Sequence, residues 1–366
     1  MVRPKRLYRN IIMTKRYILN CFIATFILIS CGKESETHET EISNILNGWE
    51  ITKTNYDFDI NPRDLFFINS EIGFVVGYNG DIYKTINSGK AWQKQNSGTT
   101  LHLYSVYFID ENIGFVSGQA MGGCLDEDCN KGSVFLKTTN GGETWAKKLF
   151  EDYVSIKSLH FFNESIGLAI IYTPDIPNSR DYYIAKTKNG GESWNFIDLA
   201  IKPAYDELYC VDNVIFIAGE NQKIYKSIDW GENWETITTP IPAWNDVRHL
   251  YFYNENIGFI DGVTNIYKTT DGGINWTIVD FPFSSFNVFH LYNETEGFNI
   301  EPVSAYEGGD FPTFKGSQSY QTYDGGETWD KSKLTDSIYL GLIYFPQRDL
   351  GYGINFSEFY IIKREE

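Results

Sequence analysis

Six copies of one eight-residue turn recur along this chain of 366 residues. They read TINSGKAW (85–92), TTNGGETW (138–145), TKNGGESW (187–194), SIDWGENW (227–234), TTDGGINW (269–276) and TYDGGETW (322–329), and all fit S/T-x-D/N-x-G-x-x-W. The closing tryptophans, Trp92, Trp145, Trp194, Trp234, Trp276 and Trp329, follow one another at intervals of 53, 49, 40, 42 and 53 residues. Self-similarity at such a period means units that cannot bury an apolar face alone and must stack on their neighbours, with propeller blades the leading candidate.

The turn has its own physical logic. A short polar side chain at the third position accepts hydrogen bonds from backbone N–H groups, glycine supplies a conformation other residues resist, and tryptophan buries a large apolar area. The third position is Asn87, Asn140 and Asn189 in three copies and Asp229, Asp271 and Asp324 in the others. A catalytic or metal-binding carboxylate does not interchange with an amide, whereas a turn-capping acceptor does, so the six turns read as structural.

Each turn sits in a longer repeat whose clearest copy is LFFINSEIGFVVGYNGDIYKTINSGKAWQKQ (65–95). It divides into four short runs: strand A is LFFIN, strand B IGFVVGY, strand C DIYKT, and strand D follows the turn, the pattern of a four-stranded antiparallel blade. Related copies begin at 104, 158, 207, 249 and 288, and a seventh, LIYFPQRDLGYGINFSEFYIIK (342–363), supplies only three strands. GWEITKT (48–54) has strand character and no blade of its own, and pairing it with 359–363 closes the ring and removes two exposed edges. The expected fold is an all-β, seven-bladed propeller over residues 48–366, about 46 residues to a blade.

The eight-residue motif resembles the Asp box, or BNR repeat, of sialidases, other glycosidases and many non-enzymatic propellers. The whole repeat resembles the photosystem II stability and assembly factor-like propellers, whose blades share its F-x-x-x-x-x-G-F-x-x-G…K/R-T-x-D-G-G-x-x-W grammar. That resemblance implies the propeller fold and a recognition or assembly role. The chain departs from the photosynthetic members in being arginine-poor, with only Arg63, Arg180, Arg248, Arg348 and Arg364 after residue 30. The sialidase resemblance implies instead an arginine cluster for a carboxylate substrate, a tyrosine nucleophile with a glutamate partner and an acid/base aspartate. Arg63, Arg180 and Arg248 are the candidates for the cluster, but Arg63 lies in Asn-Pro-Arg-Asp rather than Phe-Arg-Ile-Pro, and no tyrosine–glutamate pairing is assignable.

Residues 1–30 carry six basic groups and no acid, then the apolar run YILNCFIATFILIS, which reads as a secretory signal. Leu28-Ile29-Ser30-Cys31 resembles a bacterial lipobox and implies cleavage before Cys31 and acylation of its thiol; Met13 is an alternative start. The polar, acidic residues 31–47 are expected to form a disordered tether, and their acids resemble surface-export signals of bacterial lipoproteins. The expected location is thus the bacterial envelope, lipid-anchored at the outer membrane. Without residues 1–30 the 31 Lys+Arg fall to 25 against 48 Asp+Glu, a formal charge of −23. Such a surface repels phosphate backbones and anionic lipid, so nucleic acid is not an expected partner and acyl chains must supply the membrane attachment. The protein is expected to be monomeric, with no cofactor and no metal.

In a four-stranded blade the A–B and C–D turns leave from one face and the B–C and D–A loops from the other. The longest departures from the repeat, 118–132, 171–183 and 301–318, are all B–C loops, which places the expected interaction surface opposite the boxes. Candidate ligand residues there are Arg63, Arg180, Arg248, His249, Tyr205, Trp244, Tyr306, Asp310 and Phe311, with Tyr153, Phe281, Phe283, Asp64, Lys157, Asp206 and Glu207 nearby. Aromatics mixed with a few charges suit a protein segment or a glycan.

His160 and His290 share a strand A column with Phe66, Tyr107, Tyr209, Tyr251 and Tyr344, so they are read as packing residues. Lys84, Lys137, Lys186, Lys226 and Lys268 recur just before the boxes and read as structural, with their stems over the tryptophans. Cys124 and Cys129 are expected to form a local disulfide, with a calcium site on Asp126, Glu127 and Asp128 as a lesser alternative, and Cys210 to be a free thiol within a strand.

Overall fold

The computed structural model describes residues 42–364 apart from 47, 120–131, 152–154, 174–181, 199–202, 212, 244, 263–264, 283–288, 306–312, 332–337, 339 and 356–357. These residues form seven antiparallel sheets arranged as the blades of a β-propeller. Blade 1 is Pro62–Phe67, Gly73–Gly77, Ile82–Thr85 and Gln93–Gln95. Blade 2 is His102–Phe108, Gly114–Gln119, Ser133–Thr138 and Ala146–Phe150. Blades 3 to 6 repeat the plan from Ser155–Phe161, Pro203–Val211, His249–Phe252 and Phe289–Leu291. The buried B strands alternate with nothing polar because both faces are covered: GFVVG in blade 1 and VIFIAG in blade 4 are buried at every position. The outer D strands are short and mostly exposed.

Blade 7 consists of Leu342–Gln347, Leu350–Asn355 and Glu358–Arg364, and Trp49–Asp57 adds its fourth strand by pairing Glu50 with Lys363 and Thr52 with Ile361. Trp49 is buried and meets Phe298, Tyr292 and Phe345 at ring distances of 4.8, 5.5 and 6.1 Å, so the N-terminal strand joins blade 7 by hydrogen bonds and blade 6 by packing.

Two readings need correction. The chain already forms a strand at Ile42–Leu46, a fifth strand outside Trp49–Lys53, where a tether was expected to run to 47. Ile42, Ile45 and Leu46 give this stretch an apolar content that the acidic average of 31–47 conceals, and Gly48, at φ +88°, makes the tight reversal. The rest of the tether, the signal and Cys31 lie outside the described residues. Second, the 301–318 departure is mostly not a loop. Strands Gly297–Ala305 and Thr313–Thr322 run on through it as a long hairpin, in register from Glu301↔Gln318 to Ala305↔Thr313 with an irregularity at Val303/Ser304.

The core is a cycle of seams rather than one centre. Each of seven buried clusters joins consecutive blades, from Phe74, Val76 and Phe108 between blades 1 and 2 to Phe67, Tyr352 and Phe359 between blades 7 and 1. Stacked rings mark several seams: Phe115 on Phe161 at 3.5 Å, Phe216 on Phe252 at 3.6 Å and Phe67 on Tyr352 at 3.7 Å.

The box turns hold themselves closed in the same way each time. Asn87 Oδ1 accepts from Ala91 N at 2.9 Å and Thr85 Oγ1 from Gly89 N at 3.0 Å; Asp229 Oδ1 accepts from Asn233 N at 2.9 Å and Ser227 Oγ from Gly231 N at 2.9 Å. The recurrent lysines do not lie over the tryptophans. Lys84 Nζ donates to Gly141 O at 2.7 Å, Lys186 to Trp230 O at 2.6 Å and Lys226 to Gly272 O at 3.2 Å, while Lys268 pairs with Glu327 at 2.7 Å. These four tie their blades to the box turn of the next one, and Lys137 reaches the A–B turn of blade 3 instead, at Glu164 O (3.4 Å); Lys84 and Lys226 pass over the B-strand phenylalanines Phe74 and Phe216 on the way. The equivalent position in blade 6 is Gln321, and blade 7, which it faces, has no box to receive an ammonium.

Candidate binding face and central channel

Strand register fixes which loops share a face. Pro62 pairs with Gly77, and Ile82 with Gln95, so the D–A and B–C connections of blade 1 leave from one end of the strands and the boxes from the other. At the D–A/B–C end, blades 1 to 3 bring together a run of alternating cations and rings. The Arg63 guanidinium lies 4.2 Å from the Tyr78 ring and 5.9 Å from Tyr104, and Lys157 Nζ sits 3.9 Å from Tyr104. Tyr78 stacks on His102 at 4.1 Å and 16°, and His102 Nδ1 accepts from Asn79 N at 3.1 Å. That acceptor role places the His102 proton on Nε2, and burial followed by the Arg63 charge pulls its pKa down, so the ring is neutral near pH 7. Burial raises the Tyr104 hydroxyl.

The local sequence explains this placement. Tyr78 occupies a one-turn 3-10 segment, Tyr78–Gly80, in which Asn79 takes φ +60°, and His102 and Tyr104 flank buried Leu103 at the opening of strand His102–Phe108, the end from which the D–A and B–C connections leave. Arg63 was expected at this face on sequence grounds, and so was Lys157. Tyr78, His102 and Tyr104 are not among the sequence candidates because they lie outside the long loops; the available signal was an aromatic inside the short B–C turn of blade 1, next to a strand A entrance rich in His and Tyr.

Among the other candidates, Arg248 and His249 are exposed at the start of blade 5, with two blades between it and blade 1 by the shorter way round the ring. Tyr205, Asp206 and Glu207 lie in strand Pro203–Val211, without described side chains. Phe281 is not a surface residue for a ligand: it packs with Phe259, Phe289 and Trp329 in the seam between blades 5 and 6. Arg180, Trp244, Tyr306, Asp310, Phe311, Tyr153, Phe283, Cys124, Cys129 and Asp126 to Asp128 lie outside the described residues. No cluster of three or more metal-ligating side chains occurs among the described residues.

The seven A strands enclose a channel of about 800 Å³. One side chain from each blade faces it at the same register: Phe66, Tyr107, His160, Tyr209, Tyr251, His290 and Tyr344. Several reach the next blade: Tyr209 Oη donates to Phe252 O at 3.0 Å, Tyr251 Oη to Leu291 O at 3.3 Å and His290 Nε2 to Arg348 O at 3.0 Å. Burial lowers His160 and His290 to about 4, holding both imidazoles neutral, and raises Tyr107 to about 12. Asp64 is raised by burial to about 6, although Val106 N and Leu65 N donate to its carboxylate at 2.9 and 2.8 Å and pull the other way. Cys210, a free and half-buried thiol whose pKa burial pushes up, also lines the channel. A nucleophilic role needs a lowered thiol pKa, and this one moves in the opposite direction.

Fold and face together define a seven-bladed β-propeller with a cation–aromatic surface at one end and a closed set of polar turns at the other. Solved structures of the same fold include YCF48 bound to a D1 peptide, at 16% identity and a TM-score of 0.62 over 89% of this chain and 100% of that one. YCF48 from Cyanidioschyzon merolae is similar at 14% identity and a TM-score of 0.60, over 87% and 99% of the two chains. The GH74 enzyme of Niastella koreensis is similar at 14% identity and a TM-score of 0.56, over 86% of this chain and 53% of the enzyme. At these identities the similarity is one of fold. No family model and no curated protein sequence matches the chain.

Proposed function

We propose that this chain is a non-catalytic propeller that captures a segment of a protein partner on its D–A/B–C face, and that lipid on Cys31 holds it at the outer membrane of a bacterial envelope. The observation that carries the reading is the Arg63–Tyr78–Tyr104–Lys157 cluster, two cations sharing tyrosine rings in a chain of formal charge −17. Rigid rings bind with little loss of rotamer freedom, and cations over them select acidic or polar side chains of a partner. A propeller of the same fold in complex with a peptide supports the reading as an analogy of architecture.

A sialidase-type site would need arginines converging on one substrate carboxylate. Arg63 belongs to blade 1, where it lies over tyrosine rings, and Arg248 belongs to blade 5, which does not favour convergence. The test is quantitative affinity enrichment from detergent-solubilised envelopes with wild type and the Arg63→Ala/Tyr104→Ala variant, followed by calorimetry with the purified partner. A partner retained by wild type and weakened at least about tenfold by the double substitution, roughly 1.4 kcal/mol, supports the assignment. Equal binding by the folded variant refutes it.

A further inference from the structure

The fourth blade breaks the box pattern at one residue, and the break exposes an indole on the face opposite the proposed partner surface. The fourth position of the box is Gly141, Gly190, Gly272 or Gly325 in four blades and Ser88 in another, but Trp230 in blade 4. Trp230 holds φ at +60°, a left-handed conformation that a large side chain resists. At the four glycines a Cβ would lie 2.7, 2.7, 2.9 and 2.6 Å from the carbonyl oxygens of Glu111, Glu164, Glu255 and Glu294, in the A–B turns of the respective blades, and Ser88, at φ +61°, is the one small side chain at this position. Those turns have three residues between their paired ends, as between Ile109 and Ile113, whereas Val211 pairs with Val214 across two. The shorter turn accompanies the larger side chain at position 230. It does not account for the choice of tryptophan or for its exposure.

Trp230 is 41% exposed and Ile228 beside it is 71% exposed. One face of the indole is stacked on Phe162 of blade 3, at 5.6 Å and 7°, which fixes the plane of the ring. Its backbone carbonyl is anchored by Lys186. Two residues along the same turn, the half-exposed carboxylate of Glu232 pairs with Lys186 at 2.8 Å and Lys188 at 2.9 Å, and its pKa is lowered first by the Lys186 hydrogen bond, so it stays ionised. A flat, electron-rich ring stacked on Phe162, on a turn that also carries an ion-paired carboxylate, suits one class of ligand. The C–H face of a pyranose with equatorial hydroxyls stacks on the ring, and its hydroxyls reach the carboxylate and ammonium. The acidic surface disfavours anionic sugars.

We propose that Trp230, with Ile228, Lys188 and Glu232, is a binding platform for a neutral β-linked glycan on the box face at the seam of blades 3 and 4. The site is separate from the Arg63 cluster and does not depend on the proposed partner function.

The test uses the full chain labelled with 5-fluorotryptophan, whose nine indoles give separate fluorine signals. The Trp230 signal is assigned by its loss in Trp230→Gly, a substitution that restores the residue of four other boxes. Titration with cellotetraose or N-acetylated chitotetraose to about 20 mM is expected to shift that signal saturably, with a Kd in the millimolar range or tighter. Calorimetric binding should fall at least about tenfold in Trp230→Gly, with Trp230→Phe intermediate. Tetragalacturonate should not shift the signal, and Trp230→Gly should melt at or above the wild-type temperature. No saturable shift with either neutral sugar, or undiminished binding by Trp230→Gly, overturns the proposal. A clear drop in melting temperature for Trp230→Gly would make Trp230 a packing plug and overturn it as well. So would concentration-dependent dimerisation that Trp230→Gly abolishes, because the occupant would then be a second copy of the chain.

Discussion

Replacing Lys186 by methionine tests whether the recurrent lysines tie neighbouring blades together. The side chain is 7% exposed, and its ammonium donates to Trp230 O at 2.6 Å and to Glu232 Oε1 at 2.8 Å across the seam between blades 3 and 4. Methionine keeps the stem and its packing and removes the charge. The loss is one charge-assisted hydrogen bond to a carbonyl, about 1.5–3 kcal/mol, plus a carboxylate pair that contributes little because Glu232 is half-exposed and retains Lys188. Burying a thioether instead of an ammonium recovers part of this, since the ammonium must be desolvated, which leaves a net cost of about 2 kcal/mol. Lys226→Met removes a longer contact, 3.2 Å to Gly272 O, and should cost about 1 kcal/mol. Urea unfolding followed by tryptophan fluorescence measures both, provided the slope of the transition is unchanged between variants. A Lys186→Met protein as stable as wild type, or one less affected than Lys226→Met, would refute the inter-blade role.

Two further outcomes are expected from the geometry and one from the sequence. Trp49→Ala should destabilise the propeller by about 3–5 kcal/mol in the same urea assay, because the indole is 2% exposed and surrounded by Tyr292, Phe298 and Phe345; a loss below about 1 kcal/mol would mean that the closing strand contributes little. His290, lowered to about 4 in the fold against an unfolded value near 6.5, binds its proton more readily when unfolded, so stability should fall as pH drops from about 6.5 to 4, by up to about 3 kcal/mol. His290→Phe should flatten that window relative to wild type; an unchanged slope would show that the imidazole is not the group responsible. Cys31→Ser should abolish metabolic labelling by palmitate and release the protein from the membrane fraction; continued labelling would place any lipid elsewhere.

The fold was legible because its signals are redundant. Six boxes, seven strand A columns and an orphan strand at 48–54 all specify one closed ring, and the pairing of Trp49–Asp57 with Glu358–Arg364 is the consequence. The strand at Ile42–Leu46 was hidden because averaging over an acidic segment dilutes three aliphatic residues. The hairpin at 297–322 was hidden because Pro302 and Gly316 look like loop residues, yet both fall at ladder positions just before an irregularity in pairing. The cation–ring surface was half legible. Register arguments placed Arg63 and Lys157 at the D–A/B–C end of the blade, where they lie, but cation–ring contacts join three different blades, and spacing along one chain carries no record of which rings meet across a seam.

Blade 4 shows why departures from a repeat are best read in pairs. In the other six blades the residue opening strand B is a glycine, and a Cβ there would lie 2.6 Å from Phe67, 2.3 Å from Phe108, 2.7 Å from Phe161, 2.4 Å from Phe252, 2.4 Å from Leu291 and 2.3 Å from Phe345. In blade 4 that glycine is Ile215, and the residue paired with it across the strands is Cys210, the smallest side chain in its column. Volume removed on one strand is restored on the other, as close packing requires. Position 210 is therefore a cysteine because of a steric exchange, which agrees with its raised pKa and assigns it no chemistry. The short turn and Trp230 form a second pair in the same blade, but there the exchange is incomplete. The turn yields space and the indole projects beyond it into solvent, and this excess over what packing requires separates Trp230 from Cys210 as a candidate for function.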